Sequence, residues 1–244
     1  MDTSTTSQEK SESGLENVDF NYGFGDFNPD DVDVEDTINV QFVVDVSSSV
    51  GGYVAELNAG FNEFVSRMQT SHSASKIFVS VVVFNHNIET ISGYQPIKSV
   101  GVIDFGKYVG GSTALFGGTK VALDNALNYR EGLENAGVNC KTLVFVMTDG
   151  DDNCPDKGTA ADVKKVIVDL LTEERNFASF ETMLFGINKS EEATFKKAAL
   201  DMGFGDNVVT IDNTADEIKK MINFISSSVS NASGNGNAIS VVNF

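Results

Sequence analysis

The chain has 244 residues and is 41% apolar, enough to fill the core of one domain of ordinary size, which excludes collagen-like, disulfide-scaffold and wholly disordered classes. Asp and Glu number 35 against 17 Lys and Arg, and the resulting charge of −18 opposes any general attraction to nucleic acid or anionic lipid. The longest apolar runs, Val79–Phe84 and Leu143–Met147, are strand-length and fall far short of the ~20 residues of a membrane helix.

In chain order, residues 1–36 come first and hold 11 of the acids with one base, Lys10. So charged a stretch is expected to be an acidic, disordered tether. Its Phe20, Tyr22, Phe24 and Phe27 alternate with small and polar residues, which fits a segment that drapes over its own domain or, alternatively, a short docking segment for a partner. It lacks the basic and apolar blocks of a secretory leader, so a cytoplasmic location is expected. Cys140 and Cys154, without CxxC spacing, are read as free thiols.

From residue 37 strand and helix patterns alternate. Ile38–Val44 is a β-rich run, and Val54, Leu57, Phe61, Phe64, Val65 and Met68 then fall at helical spacing. Ile77–Phe84 reads as a strand, followed by a short antiparallel edge strand over Ile88–Ile91 with Asn85-His86-Asn87 at the turn. A helix over Leu115–Leu127, a strand over Leu143–Met147 and a helical face from Val163 to Leu171 come next. Phe180–Ile187 (strand), Glu191–Leu200 (helix), Val208–Ile211 (strand) and a helix from Ile218 to Val229 close the domain. Repeated strand and helix, with continuously apolar strands, predicts an α/β, doubly wound, mostly parallel sheet flanked by helices over residues 37–229. The Ser, Asn and Gly of Ser226–Asn237 predict a flexible tail, assigned to residues 230–244, whose apolar tip from Ile239 is expected to dock.

Ligand sites of open parallel sheets lie beyond the carboxyl ends of the strands. The first strand ends in Asp45-Val46-Ser47-Ser48-Ser49, the Leu143 strand in Thr148-Asp149-Gly150, and Gly110-Gly111-Ser112-Thr113 precedes the middle helix. These loops bring only oxygen donors to one sheet edge. Such donors select a hard divalent cation, Mg²⁺ or else Mn²⁺ or Ca²⁺, over zinc or copper. Hydroxyls carry no charge, so an ion held directly by Ser47, Ser49 and Thr113 stays electrophilic and takes up a further anion.

Asp45-x-Ser47-x-Ser49, Thr113 within Gly-Ser-Thr-Ala-Leu-Phe, and Asp149 within Thr-Asp-Gly-Asp-Asp-Asn resemble, in order, the metal-ion-dependent adhesion site of the von Willebrand factor type A (VWA) family. The style of these loops resembles compact bacterial and phage members. The resemblance implies that Ser47, Ser49 and Thr113 coordinate the ion, that Asp45 and Asp149 act through waters and hydrogen bonds, and that a partner protein supplies an Asp or Glu carboxylate. It also implies a binding module, not an enzyme. Ser48 stands where many members have Gly, and Gly117 where an Asp often follows the aromatic residue.

Other readings fit less well. Taken singly, Asp45 and Ser47 are good helix N-caps and Asp149-Gly150 a plain turn. Asp149, Asp151 and Asn153 begin like a calcium loop, but Cys154 and Ala160 stand at its sixth and twelfth positions, so Asp151 and Asp152 are read as a solvated rim. Asp104-Phe105-Gly106 lacks the other kinase motifs. A Mg²⁺-dependent phosphohydrolase needs a second acid two residues after its nucleophile, where this chain has Ser47. His72 and His86 have no nucleophile motif to serve. A structural or assembly protein, with metal only stabilising the loops, is the rival from another class.

Overall fold

The computed structural model describes residues 36–172, 179–232 and 239. The tether reading of residues 1–36 falls, except for Asp36, outside the described residues, as does the tail beyond Ala232 except for Ile239.

Six strands form one sheet: β1 (Thr37–Asp45), β2 (Ile77–Phe84), β3 (Ile88–Pro96), β4 (Cys140–Thr148), β5 (Phe180–Ile187) and β6 (Val208–Ile211), in the order β3-β2-β1-β4-β5-β6. Neighbours are parallel except β3, which runs antiparallel to β2 at one edge. The helices are α1 (Val54–Gln69), α2 (Leu115–Asn135), α3 (Ala160–Leu171), α4 (Glu192–Met202) and α5 (Ala215–Ala232). One face of the sheet packs on α1 and α5, the other on α2, α3 and α4. The expected doubly wound α/β architecture is therefore present. Burial on both faces explains the largely apolar Val, Ile and Phe runs of β1, β2 and β4.

The central strands are less uniformly apolar than the sequence pattern implies. Asn39 and Gln41 of β1 and Thr142 of β4 are fully buried, with Asn39 opposite Thr142 in the register. The edge strand runs to Pro96 rather than Ile91, and register shifts at Val79/Val81 and Val81/Val82 accommodate it. Such irregularity breaks the alternation that sequence reading depends on. Helix α2 continues to Asn135 because Arg130 and Leu133 are buried and the Arg130 Nε pairs with Glu134 at 2.8 Å.

The C-terminal helix runs past the expected end at Val229 to Ala232, into the first residues of the stretch 230–244 assigned to the tail. Ser226 and Ser230 donate their hydroxyls to the carbonyls of Ile222 and Ser226, at 2.7 and 2.9 Å, so each polar side chain is satisfied within the helix. Ile225 and Val229 meanwhile keep the apolar face continuous with the core. Ile239 docks there too: it is buried in the same core and its N–H donates to Glu181 Oε2 at 2.6 Å.

Helix α3 starts at a capping box, in which the Thr159 hydroxyl accepts from the Asp162 N–H and the Asp162 carboxylate accepts from the Thr159 N–H at 2.9 Å. Thr159→Ala should lower stability by about 1 kcal/mol in urea denaturation, with no change in the denaturant slope.

Candidate metal centre

In the sheet order, β1 connects to β2 on one side while β4 lies on its other side, so the chain diverges between the carboxyl ends of β1 and β4. Ligand crevices form at such a switch point. Val44 pairs with Met147, so Asp45 and Thr148 emerge one residue later at the same edge.

Asp45 is only 2% exposed, yet both its oxygens are engaged. Oδ1 accepts the Ser47 N–H at 2.7 Å, and Oδ2 accepts the Thr148 hydroxyl at 2.7 Å. Ser49 donates its hydroxyl to Asp149 Oδ1 at 2.7 Å, which leaves Ser47 to donate to Ser49 across 3.1 Å. Ser47, Ser49 and Asp149 thus form a chain of side-chain oxygens, to which Asp45 is joined through the Ser47 backbone N–H. Ser48 lies within the short 3₁₀ turn Ser48–Gly52, whose backbone needs no positive φ, so a non-glycine residue fits there.

Thr113 joins through its backbone. Its N–H donates to Asn153 Oδ1 at 2.7 Å and its carbonyl accepts the Asn153 N–H at 3.0 Å, a two-way tie to the loop after β4. On the other side, the Gly111 carbonyl accepts both the N–H and the hydroxyl of Ser48, at 3.1 and 3.0 Å. Gly111 has φ +74° and carries the His86 ring where a Cβ would sit, 1.9 Å from Nδ1, so only glycine fits. Thr113 is buried at the start of α2, held between the loops that follow β1 and β4.

Several positioning residues escape the sequence reading. Asp152 is not a solvated rim residue: its carboxylate accepts the N–H groups of Phe116, in the first turn of α2, and Cys154, both at 3.1 Å. Burial raises its pKa, partly offset by these donors. Asn153 fixes Thr113, and Thr148 fixes Asp45. Asn85 ties the β2 end to this region, its amide donating to the Tyr108 carbonyl and its own carbonyl accepting the Ala114 N–H, each at 3.0 Å. A clue to Asp152 and Asn153 lay in the Asp-Asn pair following Thr-Asp-Gly. Gly117 also has a packing reason: a Cβ there would lie 2.4 Å from the Lys157 carbonyl oxygen. The Phe105–Lys107 turn is capped by Asp104, which accepts the Gly106 N–H at 3.0 Å, a structural use of that triplet.

Burial pushes the Asp45 carboxyl up to about 6, against the donors Thr148 and Ser47, with the nearby Asp149 charge adding to the rise. Neither Asp45 nor Asp149 has a Lys or Arg ion-pair partner among the described residues. Uncompensated carboxylate charge beside neutral hydroxyls is an environment that a hard cation suits. No three His, Cys, Asp or Glu side chains cluster among the described residues, so a soft-ligand cage of the structural zinc type is not formed there. Cys140 and Cys154 are free and buried.

The architecture defines a VWA-type α/β domain, and the comparisons agree. The von Willebrand factor type A domain family matches residues 39–224, and the chain belongs to that family. Among solved structures it is similar to the pilus adhesin SpaC from Lactobacillus rhamnosus GG in its open conformation, at 12% identity and a TM-score of 0.57. It is likewise similar to the PilB minor pilin from Streptococcus sanguinis (12%, TM-score 0.56) and to proximal thread matrix protein 1 from the mussel byssus (17%, TM-score 0.53). Each likeness covers 80% of this chain but only 30%, 61% and 46% of the respective structures, and it carries the fold alone. No curated protein matches the chain. Among the described residues no helix is long and apolar enough to cross a membrane.

Proposed function

We propose that this chain is a divalent-cation-dependent protein-binding module with a complete metal-ion-dependent adhesion site. Ser47, Ser49 and Thr113 are its direct ligands, and Asp45 and Asp149 support it through waters and hydrogen bonds. The ion is Mg²⁺, with Mn²⁺ or Ca²⁺ as substitutes, and when bound it supplies a Lewis-acid position for an Asp or Glu carboxylate of a partner protein. The supporting observation is the buried Asp45 carboxylate, joined through Ser47 and Ser49 to Asp149, with no basic ion-pair partner among the described residues. This chain's residues divide the work. The hydroxyls bind without neutralising, and the carboxylates supply charge at a distance, so affinity is left for an external acid.

The reading is of a binder rather than an enzyme, since Ser47 occupies the position where a phosphohydrolase needs its second acid. It extends to the compact bacterial and phage members of the family on the style of the loops. It also extends to a cytoplasmic setting, which two free buried thiols suit.

Affinity capture from the source organism's extract tests it. Proteins retained by the immobilised chain in Mg²⁺ should elute with EDTA, and Thr113→Ala should retain at least tenfold less while keeping the wild-type circular dichroism spectrum. Retention indifferent to chelator favours an assembly role, and phosphate release from an aryl phosphate favours hydrolysis. Either result would overturn the proposal.

A further inference from the structure

Strand β3 lies at the sheet edge, so the N–H and C=O groups that it turns away from β2 have no strand partner among the described residues. This edge and the segment 100–103 together line a groove of about 330 Å³, whose apolar residues are Ile91, Tyr94, Val100, Val102 and Ile103. The 100–103 wall is fixed to α1. The Gln69 amide donates to the Val100 carbonyl at 3.0 Å, and Asn62 donates to the Ile103 carbonyl at 3.0 Å and accepts the Ile103 N–H at 3.1 Å. Between these two anchors Val102 is held 88% exposed, the most exposed large apolar side chain among the described residues. A preformed apolar groove along a free strand edge suits an extended chain: main-chain bonds give the affinity, and alternate side chains fill the groove.

The chain's own sequence contains a matching segment. Phe20, Tyr22 and Phe24 stand at i, i+2 and i+4, the spacing that puts side chains on one face of an extended strand. Ile38 pairs with Ile77, and Phe78 with Pro96, so the start of β1 and the end of β3 lie at the same end of the sheet. Two strand spacings, about 10 Å, separate them. Twelve residues lead from Phe24 to Asp36, a reach of about 40 Å, which exceeds the ~30 Å length of the nine-residue β3. The volume agrees: an apolar cavity of about 150 Å³ takes up one benzene ring, so the groove has room for two aromatic side chains. The charge agrees as well. Lys98 is exposed in the turn Ile97–Ser99 between the two walls and has no ion pair among the described residues, whereas residues 1–36 hold 11 acids and one base. We propose that residues Phe20–Phe27 dock on the outer edge of β3, pairing with its main chain and filling the groove with their alternating aromatic rings. A short linker keeps this segment at the groove at an effective concentration on the order of millimolar, an advantage that no separate partner shares.

The test is photo-crosslinking in the full chain carrying Val102→p-benzoylphenylalanine, irradiated in dilute solution and mapped by mass spectrometry. The expected product links position 102 to the peptide containing Phe20–Phe27 of the same molecule. In the otherwise native full chain, Phe20→Ser, Tyr22→Ser and Phe24→Ser combined should quicken hydrogen exchange of the β3 amides about tenfold and leave β1 and β4 unchanged. A link between two molecules, seen as a doubled mass, would overturn the proposal by giving the groove to a second copy. A link to another segment of the chain, no link at all, or β3 exchange unchanged in the triple variant would overturn it as well. The docking does not involve the metal centre, so both readouts should be the same in Mg²⁺ and in EDTA, and their failure would leave the adhesion-site reading standing.

Discussion

Phe42→Ala should destabilise the domain by about 3–5 kcal/mol, which is the upper range for truncating a buried aromatic side chain. Phe42 lies in the middle of β1 and is wholly buried. Its ring meets the edges of Phe61 and Phe64 of α1 at centroid distances of 5.1 and 5.0 Å, and lies 6.0 Å from Phe145 of β4. Truncation removes these contacts and opens a cavity that the rings of a close-packed core cannot refill. Phe42→Leu keeps most of the volume and should cost less than half as much. Urea denaturation reads both. A midpoint that falls with an unchanged slope is the expected result, and a loss below about 1 kcal/mol for the alanine variant would show that α1 does not anchor on this ring.

Asp45→Asn should abolish measurable cation uptake and also change how stability depends on pH. In cation-free protein, burial raises the Asp45 pKa from 3.8 to about 6, so the folded state holds this proton more tightly than the unfolded state. Its contribution is fully present below about pH 3.8 and is lost as pH rises through about 6, a change on the order of 3 kcal/mol. The amide that replaces the carboxyl cannot titrate, so in EDTA the variant should gain stability relative to the wild type across that window. Mg²⁺ should restore the wild type and leave the variant unmoved. Below about pH 6 the cation competes with a proton, so wild-type affinity should weaken by about tenfold per pH unit and level off above it. Thermal melting of both proteins from pH 4 to pH 8, with EDTA and with Mg²⁺, reads every part. A stability difference that does not vary with pH would contradict this account of Asp45.

The parallel strands were legible because burial on both faces demands apolar runs, as in Val81–Phe84, and the helices because their buried faces repeat at helical spacing, as in Val54–Met68. The ends of elements were less so. Ser230 falls in the stretch assigned to the tail but lies within α5, where it bonds back to the Ser226 carbonyl of the preceding turn. The edge strand outruns its alternation because its pairing with β2 shifts register. At the site, Asp45, Ser47, Ser49 and Asp149 form one bonded string, whereas Thr113 is attached by main-chain bonds to Asn153. The roles of Thr148, Asp152, Asn153 and Asn85 in holding the loops together were not legible, since each makes a bond to a residue distant in the chain: Thr148 to Asp45, Asp152 to Phe116, Asn153 to Thr113 and Asn85 to Ala114. Only folding brings such partners together, and polar residues in loops advertise no partner of their own.

The central claim is that neutral hydroxyls from separate loops hold a hard cation. A crystal grown with Mn²⁺, measured at the manganese absorption edge, tests it most directly. The account predicts one anomalous peak bonded to the side-chain oxygens of Ser47, Ser49 and Thr113, with Asp45 and Asp149 outside the direct shell. A peak on Asp151 or Asp156 instead, or no peak at a Mn²⁺ concentration that saturates uptake in solution, would contradict it.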